Sequence, residues 1–383
     1  METVKGFRDV EDAEKRLYVK KIIEDTFKSY NFNPVETPIV EFEEFVKGNN
    51  PNDEAVSDIF KLQDKGKRNL ALRYEFTFQL KRLAKNKKLP FRRYQIGEVF
   101  RDEPVSENRF RQFTQCDSDI IGSTIKDEAE ILKIATEILT KLGIKYTINF
   151  NNRKLLNEIL DDAEIFGDNR GIVIKEIDKL DKLPESEVKN NLKKYNAEKI
   201  LLIIKKPLKY FEKYPSYKEI SELEKLCSLY KIKVNFQPSL ARGLSYYNGS
   251  IYEIKSSIKE TISAGGSYMI NGIQSTGISF GLDRLETLSS IKVPNKKLLI
   301  ISLGQDKKAI ELANKTRPLI PTQILYNKPT KALEYANAYK IPLVIFIGDE
   351  EVKSKKFKLK DMNSGKEKSI NEKDLEKELA KLN

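Results

Sequence analysis

From Glu11 to Tyr30 apolar residues recur at helical spacing, with Leu17, Ile22, Ile23 and Phe27 on one stripe. That period predicts an amphipathic helix. Thr37-Pro38-Ile39-Val40-Glu41 reads as a Pro-led strand or turn. Two runs of β-forming residues follow: Tyr94, Ile96, Val99 and Phe100, then Phe110, Phe113, Ile120 and Ile121. The polar loop between them holds Pro104, Ser106 and Asn108, a strand–loop–strand signal. A second helix is predicted from Lys126 to Leu142. Asp127 and Glu128 suit the positive end of its dipole, and Gly143 stops it. Residues 145–150 read as a strand.

The segment 151–237 differs in character. It is dense in Lys, Glu, Asp and Asn, with helical patterns and one strand-like run, Ile200–Ile204, and reads as a small inserted domain. From 238 the pattern returns to strands punctuated by Gly, ending in a strand–helix unit at Gly277–Ser290. Val293-Pro294-Asn295-Lys296 is a linker candidate. Beyond it Leu298–Leu303, Lys307–Thr316, Gln323–Tyr326, Lys331–Tyr339 and Leu343–Ile347 alternate between strand and helix patterns. Such alternation predicts a small α/β domain with a largely parallel sheet. A hairpin over Phe357–Ile370, turning at Asn363-Ser364-Gly365, and a last helix complete it.

Charge adds a direction to this outline. The 383 residues carry a net charge of +12. Residues 297–383 hold 18 Lys and Arg against 12 Asp and Glu, so half of that excess lies in under a quarter of the chain. A polyanion such as nucleic acid suits this balance; a Lys-rich solvated face is the plainer reading. Cys116 and Cys227 stand far apart, which excludes a zinc finger or a disulfide framework. The chain has no histidine. That removes Ser–His and Cys–His nucleophile systems, histidine metal ligation and imidazole acid–base chemistry. Catalysis then falls to arginine, lysine, carboxylates, backbone dipoles or a metal held by oxygens. Met1–Asp12 is charged and has no apolar signal region, and the apolar runs are too short to span a bilayer, so a soluble intracellular protein is expected.

Four constellations can carry chemistry. In the second β-run Arg111, Gln115 and Asp119 recur at even spacing and share one face, a polar-ligand site or a solvated hairpin face. Arg101, Arg109 and Arg111 gather around it, and planar guanidinium forks suit phosphate oxygens. Leu72-Arg73-Tyr74-Glu75-Phe76-Thr77 puts a carboxylate and a hydroxyl on one side of an extended segment, fit to hold an ammonium group; the other reading makes Thr77 a helix cap. In Ala241-Arg242-Gly243-Leu244-Ser245-Tyr246-Tyr247-Asn248-Gly249-Ser250, Asn-Gly predicts a hairpin turn, Arg242 precedes a Gly that permits close ligand approach, and two tyrosines can frame a planar substrate. An ordinary aromatic hairpin fits equally. Last, Ser263-Ala264-Gly265-Gly266-Ser267-Tyr268 leads to Gly277–Leu285, where Arg284 falls in the first turn of a helix, beside free N–H groups that favour an anion.

In this order the segments resemble those of a class II aminoacyl-tRNA synthetase, and more narrowly of the histidyl-tRNA synthetase family. Thr37–Glu41 resembles motif 1, at the dimer interface; Phe100-Arg101-Asp102-Glu103 through Gln112-Phe113 resembles motif 2; Gly281-Leu282-Asp283-Arg284-Leu285 resembles motif 3. Arg242-Gly-Leu-Ser-Tyr-Tyr247 is similar to the histidine-specific Arg-Gly-Leu-Asp-Tyr-Tyr segment, and Lys5-Gly6-Phe7-Arg8-Asp9 matches the family's N-terminal signature. The resemblance covers nearly the whole chain and is weakest over 151–237.

It implies an α/β fold class: an α+β catalytic domain, with a central antiparallel sheet flanked by helices, from 1–150 and 238–292. An insertion domain over 151–237, a linker at 293–296 and an anticodon-binding domain over 297–383 complete the chain. The implied activity is that of a histidine–tRNA ligase, forming histidyl-adenylate and pyrophosphate from histidine and ATP, then charging the 3′ end of tRNA(His). Glu75, Phe76, Thr77 and Gln115 belong to the implied histidine site, with Glu75, Thr77 and Gln115 on the α-ammonium. Asp119 accepts from one imidazole nitrogen and Tyr247 bonds the other side, with Tyr246 nearby. Arg101 contacts the α-phosphate of ATP, Arg109 and Arg284 engage the β/γ end, and Arg242 sits opposite Arg101, where charge builds during attack. Arg101 and Arg242 are thus the implied catalytic pair, working by position and electrostatics. Mg²⁺ rides on the ATP phosphates, with no metal site in the protein itself. A cytoplasmic homodimer with no membrane contact completes the expectation.

The chain departs from the family at several points. Ser245 stands where Asp is usual, Ser267 where Arg is usual in a Gly-Gly-Arg-Tyr-Asp segment, and Tyr74 and Phe76 where Pro and Gly are seen in many members. Met269–Thr276 is a short loop, and Ser267 puts part of the nucleotide pocket in question. The family also has a non-catalytic paralogue, a regulatory subunit of the first enzyme of histidine biosynthesis. Such relatives tend to lose the Arg-Gly-Leu-x-Tyr-Tyr segment and the anticodon domain, and this chain keeps both.

Overall fold

A computed structural model describes residues 2–48, 54–167, 169–241 and 246–381, the side chains of Glu54 and Ala55 aside. The described chain divides into two compact units, 1–291 and 292–383. The first is built on an eight-stranded sheet in the order Asn33–Pro34, Phe91–Phe100, Gln112–Ile121, Ile273–Gly281, Ser263–Ile270, Tyr247–Lys255, Thr147–Asn152, Asn235–Phe236. All its pairings are antiparallel except the two at its edges. The predicted strand–loop–strand is its first long ladder, with Phe91↔Ile121 at one end and Phe100↔Gln112 at the other.

Two helices cover one face of this sheet. In Glu14–Ser29 the residues Val19, Ile23 and Phe27 are buried at four-residue steps, but Leu17 is 61% exposed. The expected stripe was therefore rotated: Val19 faces the sheet, and Leu17 faces solvent. The second helix, Ile125–Lys141, starts at a capping box in which the Thr124 backbone N–H donates to Asp127 Oδ2 at 2.8 Å. Its Ile131, Ile134, Ala135 and Ile138 join Cys116, Ile120, Ile278 and Phe280 in one core. Because side chains alternate along a strand, burying Cys116 and Ile120 on this face sends Gln115, Asp117 and Asp119 to the other.

The second face meets part of the segment after residue 152, which is helical: Arg153–Asp162, Asn169–Asp178 and Glu185–Lys193, while Tyr217–Leu229 packs its Ile220, Leu223 and Cys227 into the same core as Ile125–Lys141. Ile200–Ile203 is a helical turn, not the expected strand. Its Ile200 and Leu201 pack with Leu156, Val173 and Leu192 of neighbouring helices, and none of the described strands pairs with it. A short apolar run does not distinguish the two states by itself.

The expected Asn-Gly turn is displaced. Asn248 and Gly249 lie inside the strand Tyr247–Lys255, at a register shift between the pairs Tyr247↔Tyr268 and Ile251↔Gly266. The two-residue turn is at Asn271-Gly272, where φ is 51° and 77°, between Ser263–Ile270 and Ile273–Gly281. Positive φ at both residues is what a type I′ hairpin needs, so the short loop at 269–276 is a tight turn within a long ladder.

A separate three-stranded sheet joins Val40–Phe42, Asn69–Leu72 and Lys61–Gln63. The second unit has a five-stranded sheet in the order Thr322–Leu325, Leu298–Ser302, Leu343–Ile347, Lys356–Asp361, Glu367–Asn371. The first three strands are parallel, and the last two form an antiparallel hairpin at that edge. No helix among the described residues is long and apolar enough to cross a membrane.

Candidate active site

A cavity of about 310 Å³ opens on the polar face of the large sheet. One end is walled by Arg101, Arg109 and Arg284, and the other by Glu75, Thr77, Gln115, Asp117, Asp119, Tyr246, Tyr247 and Tyr268.

The arginine end is held open by backbone oxygens. Arg101 Nε donates to the Tyr74 carbonyl at 3.1 Å, and its guanidinium lies 5.2 Å from the Phe113 ring centre. Arg284 donates from Nη1 to the Thr261 carbonyl at 2.6 Å and from Nε to the Asn108 carbonyl at 3.3 Å. Arg109 pairs with Glu103. Burial pulls the Arg284 guanidinium below its ordinary value; Glu260 opposes this, and Arg109 and Arg101 add to it. Three guanidiniums that repel one another around a cavity call for a polyanion.

Motif 3 is anchored from the far end of the chain. Asp283 takes Arg8 at 2.8 Å and Arg16 at 2.9 Å, and accepts from the Thr114 backbone N–H at 3.1 Å. Gly6, at φ 88°, lets the N-terminal segment press against Arg111: the Arg111 backbone N–H donates to the Gly6 carbonyl at 2.9 Å. A side chain at Gly6 would meet Arg111 Cγ at 2.7 Å.

The other end is made by the strand Gln112–Ile121. Gln115, Asp117 and Asp119 are all buried on its cavity face. Glycines clear the space beside them: Gly97 and Gly281 flank Gln115, and Gly277 lies beside Asp119, where a Cβ would run into the carboxylate. Asp119 faces Arg93 across the ladder, with Nη2 2.7 Å from Oδ2, and its Oδ1 accepts from the Tyr268 hydroxyl. Burial pushes the Asp119 carboxyl up, while Arg93 and the Tyr268 hydrogen bond pull it down. Gln115 Nε2 donates to Ser279 Oγ at 2.6 Å. Tyr246 packs edge-on to Tyr268, with ring centres 5.6 Å apart, and its hydroxyl bonds Thr77.

Comparison with known proteins identifies this arrangement. A family model described as histidyl-tRNA synthetase matches residues 6–285, and one described as anticodon binding domain matches 297–382. Histidine–tRNA ligase 2 of Shouchella clausii is 34% identical, over 96% of this chain and 98% of its own length. The chain belongs to the histidyl-tRNA synthetase family. It is an aminoacyl-tRNA synthetase, a ligase.

Other relatives agree. Histidine–tRNA ligase 1 of Bacillus cereus is 34% identical over 96% of this chain and 94% of its own length. A solved histidyl-tRNA synthetase from Nostoc shares the fold, with a TM-score of 0.85 at 24% identity over 100% of this chain and 99% of that one. An ATP phosphoribosyltransferase regulatory subunit/histidyl-tRNA synthetase from Bacillus halodurans also shares it, with a TM-score of 0.76 at 18% identity over 88% and 96%.

Of the residues singled out in the sequence, the cavity gathers Glu75, Thr77, Arg101, Arg109, Gln115, Asp119, Tyr246, Tyr247 and Arg284. Arg242 and Ser245 lie outside the described residues. Thr77 caps no helix: the helical turn Leu80–Leu83 has Gln79 before it and no side-chain cap. Three expectations are corrected. The Phe76 ring does not line the cavity; it is fully buried, with the Arg73 guanidinium 4.8 Å from its centre. Only its carbonyl reaches toward the site, accepting from Arg93 Nη2 at 3.3 Å. Arg111 leaves the polar face before the strand begins and pairs with Asp102 at 2.9 Å. Ser267, placed in the nucleotide pocket by its position, points away from it to Glu128 of the helix Ile125–Lys141, and Tyr268 lines the cavity instead.

Arg93, Asp117, Tyr268 and Ser279 were missed. Asp117 has the same parity as Gln115 and Asp119, which was signal enough. Arg93 needed the register, which follows from equating Arg101 with Arg111 across the loop.

Proposed function

We propose that the protein is a histidine–tRNA ligase. It condenses histidine with ATP to histidyl-adenylate and pyrophosphate, and then transfers histidine to the 3′ end of tRNA(His). The observation that carries this reading is one cavity with two opposed ends: Arg101, Arg109 and Arg284 at one, and buried carboxylates with tyrosines at the other. A triphosphate and a small cationic amino acid fit that polarity.

In this reading Arg101 meets the α-phosphate, while Arg109 and Arg284 take the β/γ end. Arg242, opposite Arg101, stabilises the negative charge that grows as the histidine carboxylate attacks. The attacking group is already an anion, so the step needs no general base and proceeds by alignment and electrostatics. That suits a chain without histidine. Glu75, Thr77 and Gln115 hold the α-ammonium. Asp119, oriented by Arg93 and Tyr268, takes one ring nitrogen, with Tyr247 on the other side and Tyr246 packed nearby. Hydrogen-bonded reading of the ring rejects other amino acids because a poor fit strands buried polar groups.

Mg²⁺ belongs with the nucleotide. The carboxylates at the arginine end, Glu103 and Asp283, are committed to Arg109 and to Arg8 and Arg16, which leaves the phosphate oxygens to hold the ion. When bound, it neutralises the departing pyrophosphate.

The remaining assignments follow the same reading. Residues 1–150 and 238–292 are the catalytic domain, 151–237 an insertion, 293–296 a linker, and 297–383, with its excess of lysine, the anticodon-binding domain. A cytoplasmic homodimer forms through the motif 1 region, where Ile39, Val40, Phe42 and Leu62 are exposed around the small sheet. Charging of tRNA(His) with labelled histidine tests the reading. Charging supports it; a folded dimer that charges nothing and instead stimulates an ATP phosphoribosyltransferase would make the chain a regulatory subunit.

A further inference from the structure

Besides Asp119 Oδ2, which lacks a hydrogen bond but lies 2.7 Å from Arg93 Nη2, two further buried acceptors in the cavity have no partner among the described residues: Gln115 Oε1 and Asp117 Oδ1. They are next-but-one neighbours on the same strand face, and both side chains meet Ser279. Gln115 Nε2 donates to Ser279 Oγ at 2.6 Å, and the same hydroxyl bonds the Asp117 carboxylate. A hydroxyl that accepts from Gln115 has its proton left for Asp117, so Ser279 fixes both groups with their remaining oxygens unbonded.

Nothing else described around Asp117 satisfies it. Across the ladder lie Gln95 on one side and Ser279 on the other, and the Gln95 amide donates to Thr37 Oγ1 at 2.8 Å. The charged groups acting on Asp117 are Arg93, Asp119 and Arg101. Arg93 makes its ion pair with Asp119 and acts on Asp117 through its charge alone, and Arg101 faces the anion end. Asp119 Oδ1 accepts from the Tyr268 hydroxyl, and its Oδ2, which has no hydrogen bond among the described residues, lies 2.7 Å from Arg93 Nη2, so the charge of Asp119 is matched by Arg93. Asp117 is thus a carboxylate of this strand with an unbonded oxygen and, unlike Asp119, no ion pair among the described residues. Burying such an acceptor without a donor is costly, and the cost is recovered when a ligand supplies the donor.

We propose that Asp117 is an amino-acid-binding residue that accepts a hydrogen bond from the α-ammonium of the substrate and balances its charge, with Gln115 beside it and Ser279 positioning both. The proposal rests on the reading of the cavity as a histidine site. Two adjacent acceptors, one anionic, match a donor with several N–H groups and a full positive charge; each nitrogen of an imidazole offers at most one. Placing the charge partner of the ammonium on the rigid strand that also carries Asp119 fixes the distance between the two ends of the amino acid.

Histidine-dependent ATP–pyrophosphate exchange by the full-length protein tests this. Histidinol keeps the ammonium and the ring; imidazole-4-propionate keeps the ring and lacks the ammonium. In Asp117→Asn the KM for histidine and the inhibition constant of histidinol should each rise about 10- to 100-fold, while that of imidazole-4-propionate stays within about twofold. Ser279→Ala, a milder change, should show the same pattern at smaller size, and it stands in if Asp117→Asn does not fold. Unchanged histidine and histidinol constants, or an equal loss for all three compounds, overturn the proposal. Wild-type protein with no histidine-dependent exchange overturns the histidine reading itself, a separate failure.

Discussion

Arg93 and Asp119 stand opposite each other on neighbouring strands, Nη2 2.7 Å from Oδ2, with Arg93 wholly removed from solvent. The pair holds the carboxylate that the account assigns to the imidazole ring. It also makes that carboxylate expensive to leave alone.

Arg93→Met should therefore destabilise the protein by about 3–5 kcal/mol near neutral pH, since it strands a buried charge. Adding Asp119→Asn to it should restore much of the loss. Urea unfolding of the two single variants and the double variant measures this. Additive losses would mean that the two residues do not act as a pair.

Asp117 gives a pH dependence. Burial pushes its carboxyl up to about 7, Arg93 pulling it down and Asp119 pushing it further up. Unfolded, an Asp titrates near about 3.9. Between these values the folded state holds a proton that the unfolded state has lost, so this group's contribution to stability falls as pH rises through the window. Asp117→Asn, which cannot ionise, should raise the melting temperature of the ligand-free protein at pH 8 by at least about 2–4 °C. The gain should vanish near pH 4. Melting curves across pH read it; a gain independent of pH would contradict the assignment.

Arg242→Ala should lower the adenylation rate by about 10²–10³, the usual size for losing one donor to developing charge, with only a modest change in histidine affinity. Pre-steady-state adenylate formation and equilibrium binding separate the two. Equal losses in both would point to misfolding or a plain binding role.

Removing 297–383 should spare adenylation and weaken tRNA binding, with a shallower dependence on salt because fewer phosphates are neutralised. Exchange kinetics and tRNA titrations at several salt concentrations check both halves. An unchanged tRNA affinity would place the tRNA surface elsewhere.

Much of this was legible in the residues. The ladder around Arg101–Asp119, the helix over Ile125–Lys141 and the alternating elements after Lys296 carry strong periods and local stop signals. What was not legible depended on partners distant in the chain. Asn248-Gly249 has the composition of a turn, but the paired residues before and after it, Tyr247 and Ile251, hold it in a strand at a register shift, and Asn271-Gly272 takes the turn instead. Ile200–Ile203 became helical because helices surround it. Leu17 misled because one apolar residue on a helix does not fix which side faces the sheet. At the site, side-chain types pointed to phosphate and to an ammonium group, but the division of labour between Asp117 and Asp119 required the register that brings Arg93 and Ser279 alongside them.

The central claim is that the two ends of one cavity join ATP to histidine. ATP–pyrophosphate exchange, run with each amino acid in turn, tests it most directly. The account predicts exchange that depends on histidine and is negligible with the others. Exchange with none of them from folded protein, or with a different amino acid in preference to histidine, would contradict it.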